Sequence, residues 1–173
     1  MPRMLAALPM LPDAPAIGWG WDDSPGFRPE FGIGRQLAFK ARDAYFPLAV
    51  RARFVAAFWA MLAAVLVWRW AAELYGEWGG VLALALWSFE PTVLAFGSIV
   101  GPDMPAAAVG LAACWAFTRY LRHPTFDGAF GCGMLLGLGL LCKFTLLLLP
   151  VAWVLLALWK RPPLHALLIP AVA

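Results

Sequence analysis

From Trp78 to Trp159 the chain is one apolar run after another, and charge enters almost only where the runs break. Glu90 stands before Pro91, Asp103 follows Gly101-Pro102, Arg119, Arg122 and Asp127 flank a turn, and Lys143 closes a glycine-rich run. Hydrocarbon tolerates an ionised side chain poorly unless water or a partner reaches it, so lone charges at the ends of apolar segments mark either a membrane surface or a polar site. This pattern predicts helices that end at a membrane face, with Glu90, Asp103 and Lys143 as the candidates for a site there.

Composition agrees. The 173 residues are 63% hydrophobic and 13% charged, against about a quarter charged in soluble domains. The lipid bilayer is therefore the first expected partner. The net charge of +3 comes from basic residues at segment ends, where long side chains reach back to headgroups, and this argues against nucleic acid as a partner. Cys114, Cys132 and Cys142 sit inside apolar runs without the spacing or the nearby histidine of a metal set, and read as small packing residues.

In chain order, Met1 to Pro12 carries one arginine and two prolines, Pro9 and Pro12, that break a short apolar run. Ala14-Pro15-Ala16 resembles a cleavage site, but the broken run reads better as an amphipathic helix at the interface. Asp13 to Gly34, rich in Gly, Pro and Trp with Asp22, Asp23 and Glu30, reads as an ordered loop. Leu37, Ala41, Tyr45 and Leu48 recur at helical spacing opposite Gln36, Lys40 and Asp43, which predicts a second interfacial helix.

The first full span is expected from Ala52, uncharged from Phe54 to Trp68, with Gly76 as its stop. Trp78 to Phe89 and Pro91 to Ile99 are each too short to cross alone, since about twenty residues cover the hydrocarbon core. They predict one kinked span or a helix followed by a half-helix. Asp103 then opens a helix, as its N-cap or first-turn acid. Ala107, Gly110 and Cys114 give that helix a small-residue stripe for close approach. His123 stands in a turn, where a solvated role is expected. Gly128 to Cys142 and Phe144 to Trp159 predict two further spans, and residues 164–173 begin another. The expected fold is all-α: residues 1–50 as an extracytoplasmic loop with interfacial helices, and residues 51–173 as a polytopic transmembrane helical region.

Counting crossings places Arg69, Arg119, Arg122, Lys160 and Arg161 on one face. Asp103, Lys143 and the first fifty residues fall on the other. Short loops rich in Lys and Arg favour the first face as cytoplasmic, although Lys40, Arg42, Arg51 and Arg53 weigh in the opposite sense.

The series Val50-Arg51-Ala52-Arg53, Glu73-Leu74-Tyr75-Gly76, Ala83 to Thr92 with its Phe89-Glu90-Pro91, Gly101-Pro102-Asp103-Met104-Pro105 and Gly137 to Lys143 resembles the polytopic GT-C glycosyltransferases. Within that group it is similar to the protein O-mannosyltransferase and aminoarabinose-transferase-like superfamily, from about Met4 to Trp159. The resemblance implies a polyprenyl-phosphate sugar donor, a protein, lipid or glycan acceptor, and a site facing the periplasm or exterior of a bacterial inner membrane. It also implies that Asp103 lies in the catalytic cavity, that Lys143 and Arg53 meet the donor phosphate, and that Glu90 is a candidate cavity-lining residue. A divalent metal is compatible with such chemistry, but no ligand set is visible.

Relatives in that superfamily carry an upstream helix, an acidic motif whose aspartate is the expected general base, and a His-Pro-Pro turn before the segment that Pro2 to Pro9 resembles. On that resemblance the chain is expected to be an incomplete piece of a larger enzyme, inactive by itself. Transfer from a phosphate-linked donor needs a cation at the departing phosphate and a carboxylate near the acceptor hydroxyl, and Lys143 and Asp103 are of those kinds. The rival expectation is a noncatalytic membrane protein, a transporter or a lipid-binding or assembly subunit, in which Asp103 and Lys143 simply pair.

Overall fold

The computed structural model describes residues 2–18 and 29–160, and every regular element among them is helical, as the sequence predicts. Helix α1 (Pro2–Ala7) runs into a 3-10 turn, Leu8–Met10. Helix α2 (Pro29–Ala41) is followed by a second such turn, Arg42–Ala44, and by the long α3 (Tyr45–Phe89). Then come α4 (Pro91–Gly97), α5 (Asp103–Arg122), α6 (Phe126–Cys142), a 3-10 turn over Phe144–Leu147, and α7 (Leu148–Lys160). The further helix expected over residues 164–173 lies outside the described residues, as do Asp22 and Asp23.

Two boundaries differ from expectation, each for a local reason. Helix α2 starts at Pro29, inside the stretch expected to be loop, because proline fits the first helical position, where its missing N–H costs nothing. Helix α3 starts at Tyr45 instead of Ala52. Leu48, Ala52, Ala56 and Ala63 are all buried, so the stripe read as the end of an interfacial helix continues into the first span on one face. The bend between α2 and α3 falls at Arg42, an exposed residue with φ of 45°.

Helix α3 is not one rod. Gly76 has φ 80° and ψ 174°, a conformation that only glycine adopts readily, and the chain folds back on itself there. A methyl group on Gly80 would lie 2.9 Å from the Trp68 carbonyl oxygen and 2.9 Å from the Ala72 Cβ. In a straight helix, residues twelve apart are separated by about 18 Å. Further along the return, a methyl group on Gly97 of α4 would lie 3.3 Å from the Ala60 Cβ. The arm from Tyr45 to Tyr75 therefore forms an antiparallel hairpin with the return arm and α4. Gly76 does stop the first span, as expected, and it does so by reversing the chain.

The second half is a packed group of three helices. Thr125 caps α6 by accepting from the Gly128 N–H at 3.1 Å, closing the α5–α6 turn. Ala113, Phe117 and Tyr120 from α5 meet Ala129 and Cys132 from α6 and Trp153 and Ala157 from α7. Phe117 and Trp153 stack with ring centroids 4.4 Å apart and planes 7° from parallel. All three cysteines are free, and Cys132 is fully buried in this core.

Among the described residues one stretch, Phe31–Phe89, is long and apolar enough by length and composition to cross a membrane. Phe126–Cys142 and Phe144–Leu158 are shorter apolar helices. The outward faces stay apolar: Trp78, Leu82, Leu86 and Phe89 on the return arm and Leu148 and Leu155 on α7 are all exposed.

Candidate functional site

The sequence leaves Asp103 and Lys143 forty positions apart, and the fold brings them into contact. Helix α5 begins at Asp103, and α6 ends at Cys142. Lys143 is extended, with φ −154° and ψ 126°, and its N–H still donates to the Gly139 carbonyl at 2.9 Å. The 3-10 turn that follows is tied back to Lys143, whose carbonyl accepts from the Leu146 N–H at 3.1 Å.

What seats that turn is a pair of glycines. A methyl group on Gly110 of α5 would lie 3.2 Å from Leu146 Cδ2, and one on Gly139 of α6 would lie 2.8 Å from Leu146 Cδ1. Leu146 therefore plugs a slot between α5 and α6 that larger residues would close. The small-residue stripe expected on α5 is used here, though the knob it receives comes from a turn and not from a neighbouring helix.

With the turn seated, Lys143 Nζ donates to Asp103 Oδ1 at 2.5 Å. The lysine side chain is 42% exposed and the aspartate 37%, so the pair is half-buried and open to an incoming group. Asp103 is the first residue of α5 but not its side-chain cap. The N-cap residue is Pro102, and no side chain accepts from the first turn. The expected cap role is thus replaced by the ion pair, because the carboxylate turns toward the ammonium. Its negative charge still sits in the first turn, where the helix dipole favours it.

The other two candidates are not drawn into this contact. Glu90 is exposed and works as a cap: its side chain accepts from the Thr92 N–H at 3.3 Å, at the start of α4, with Pro91 at the first helical position. Arg53 is exposed and has no ion pair among the described residues. Its neighbour Arg51 pairs with Asp13 instead, and Lys40 Nζ donates to the Ala16 carbonyl at 2.7 Å. These two contacts and the buried Pro2 and Ala6 of α1 hold the N-terminal segment against the foot of α3. A cavity of about 320 Å³ lies there, lined by Pro9, Arg51, Phe54, Val55 and Phe58, and it does not include Asp103 or Lys143.

One polar cluster was not singled out in the sequence. Glu73, just before the elbow, accepts from Trp115 Nε1 at 2.8 Å and faces Arg119 at 3.7 Å, while the Arg119 guanidinium lies 5.6 Å from the Trp115 ring centroid. The available signal was that Trp115 and Arg119 fall four apart on α5, so both can reach one acid on a neighbouring helix. Among the described residues no group of three His, Cys, Asp or Glu side chains could hold a metal ion.

No curated protein and no solved structure matches the chain. A sequence model described as dolichyl-phosphate-mannose-protein mannosyltransferase matches residues 48–171, a region that contains Arg53, Glu90, Asp103 and Lys143. Because that match covers well over half of the chain and agrees with the motif order read from the sequence, the chain belongs to this family of membrane-embedded glycosyltransferases.

Proposed function

We propose that this chain is the core of a polytopic membrane glycosyltransferase that moves a sugar from a polyprenyl-phosphate donor to a protein, lipid or glycan hydroxyl. The observation that carries the reading is the half-buried Asp103–Lys143 pair at the α5 start, in a chain of this family. In a single inverting displacement the acceptor oxygen loses its proton to a carboxylate and bonds to the anomeric carbon. The bond from that carbon to phosphate oxygen breaks, and its electrons leave on the polyprenyl phosphate. Lys143 is the cation for the departing phosphate, since a charge-assisted hydrogen bond gains most where negative charge develops. Asp103 is the carboxylate of the proposed catalytic cavity, which is separate from the cavity at the foot of α3. Arg53 is proposed as a second cation for the donor, and Glu90 shapes the cavity wall by starting α4.

The apolar outward faces of the return arm and α7 support a multi-span arrangement, with the elbow at Gly76 and the α5–α6 turn on one side and the ion pair on the other. The ion-pair face is assigned to the exterior, and Arg69, Arg119 and Arg122 to the cytoplasm. A second reading, a noncatalytic membrane protein held together by the pair, is favoured by the same 2.5 Å contact.

The test is transfer from lipid-linked sugars. Full-length protein in bilayer discs is expected to bind polyprenyl-phosphate mannose and to release polyprenyl phosphate when acceptor is present. Normal folding with neither binding nor release across a panel of polyprenyl-phosphate sugars would favour the noncatalytic reading.

A further inference from the structure

Lys143 already gives one of its three N–H donors to a carboxylate, so its charge is neutralised by Asp103 before any phosphate arrives. Its Nζ lies 2.5 Å from Asp103 Oδ1. The only ion pair of either residue among the described residues is with the other. Both side chains are more than a third exposed, so neither is sealed from an incoming anion. The backbone under the pair is anchored independently of it, by Leu146 in the slot of Gly110 and Gly139 and by the Lys143 N–H on the Gly139 carbonyl. The contact can therefore open by side-chain rotation alone.

We infer that Asp103 is an internal competitor for the phosphate site of Lys143: the donor's phosphate displaces the Asp103 carboxylate from the ammonium, and the same displacement frees that carboxylate to face the acceptor. This rests on the proposed donor role of Lys143 and adds an exchange that the role alone does not contain. Two anions contend for one ammonium, so binding of one weakens the hold of the other. Pairing with Asp103 neutralises the lysine whenever no phosphate is bound, which lowers the electrostatic cost of leaving a lone cation at a membrane face. The carboxylate becomes free only when donor is in place. One charge-assisted hydrogen bond is traded for another, which keeps the exchange reversible, and the displaced carboxylate retains part of its attraction to the nearby ammonium, which tilts the balance toward bound donor.

The signature is an opposition between binding and turnover. Asp103→Asn should bind a short-chain polyprenyl monophosphate about tenfold more tightly, the scale of one charge-assisted hydrogen bond removed from the competition, while transfer falls. Lys143→Gln should weaken binding of the same probe. In the Lys143→Gln background, Asp103→Asn should change binding much less, because no pair is left to break. All variants are measured as full-length protein in bilayer discs made from uncharged lipid. If Lys143→Gln leaves binding unchanged, the donor role of Lys143 fails and the exchange with it. If Lys143→Gln weakens binding but Asp103→Asn does not tighten it, the donor role stands and the exchange is overturned. An equal tightening in both backgrounds would reduce Asp103 to a distant repulsion and also overturn the exchange.

A measurement on the unmutated protein guards against a variant that fails to fold. A water-soluble carbodiimide should join Asp103 to Lys143 as an amide, detected by mass spectrometry, and polyprenyl monophosphate should suppress that product where the polyprenyl alcohol does not. A yield that both additives leave alike would overturn the inference.

Discussion

Asp103 and Glu73 are both carboxylates that join α5 to a neighbouring element, one at the helix start and one toward its end, and they do so differently. Glu73 is held twice, by the Trp115 N–H at 2.8 Å and by Arg119 at 3.7 Å, and the arginine also lies over the tryptophan ring. Among the described residues Asp103 is held once, by Lys143. A carboxylate with several weak partners loses little when one of them leaves, so the Glu73 cluster acts as a clamp that keeps the hairpin of α3 on α5. A carboxylate with one strong partner can be exchanged as a unit, which suits a site that must accept an anion. The comparison separates the end of α5 that positions the fold from the end proposed for chemistry.

The sharpest way to break that distinction is to remove one cation from each end. Lys143→Ala should lower donor affinity by roughly tenfold, the low end of a charge-assisted hydrogen bond because the contact with Asp103 no longer has to break, whereas Arg119→Ala should leave it within about twofold, as for most exposed pairs. Titrating labelled polyprenyl-phosphate mannose against both variants checks this. Equal losses would erase the difference between the two ends. Lys143→Arg should recover only part of the affinity, because a forked guanidinium does not replace a compact ammonium.

Next in size is the elbow that the clamp holds. Gly76→Ala meets no atom within 4 Å, so its cost is purely one of backbone at φ +80°, and it should destabilise by about 1–3 kcal/mol. Thermal unfolding in detergent measures it. An unchanged midpoint would show that the chain reverses there without needing the glycine conformation.

A smaller effect is expected from Gly139→Ala, whose methyl group would push on the far end of the Leu146 side chain at 2.8 Å. Leu146 can swing away, so stability should fall by only about 1 kcal/mol. Transfer should fall by more than that stability loss accounts for, because the turn carrying Lys143 shifts with Leu146. Comparing kcat/KM with the unfolding midpoint separates the two. Parallel small losses would mean that the seat of the turn does not govern the position of the lysine.

The smallest effect belongs to Glu73→Gln. The amide oxygen still accepts from Trp115, and only the attraction to Arg119, itself 64% exposed, is lost. The cost should be below about 1 kcal/mol, seen as a slight drop in unfolding midpoint with transfer unchanged. A large drop would mean that the clamp depends on charge and not on the number of its contacts.

The sequence made most of the helices legible because proline, glycine and lone charges punctuate apolar runs: Gly76, Pro91, Pro102, His123-Pro124 and Lys143 all fall at breaks or ends. It was less informative at the N-terminal side. There the stripe Tyr45, Leu48 and Ala52 has the same period whether it lies on an interface or leads into a span, and α3 takes it up without interruption. Asp103 and Lys143 were visible as charges on one face. Their contact does not follow from the sequence, since charge type and crossing count say nothing of distance. The Glu73 cluster stayed hidden because Glu73 and Arg119 look like ordinary segment-end charges and Trp115 like one more apolar position within α5.

By itself the sequence determined the helical class, the positions of the breaks and the kinds of charge at each end, since all of these follow from local backbone preference and from hydrocarbon's intolerance of charge. Family membership also lies in the sequence, in the order of its motifs. The tertiary structure decided which charges meet. That depended on how closely α5 and α6 approach, which is set by Gly110 and Gly139 leaving room for Leu146. A local pattern reports the period and polarity of a helix, but not the gap between two helices distant in the chain. That gap brings Lys143 onto Asp103 and leaves Arg53 and Glu90 outside the contact.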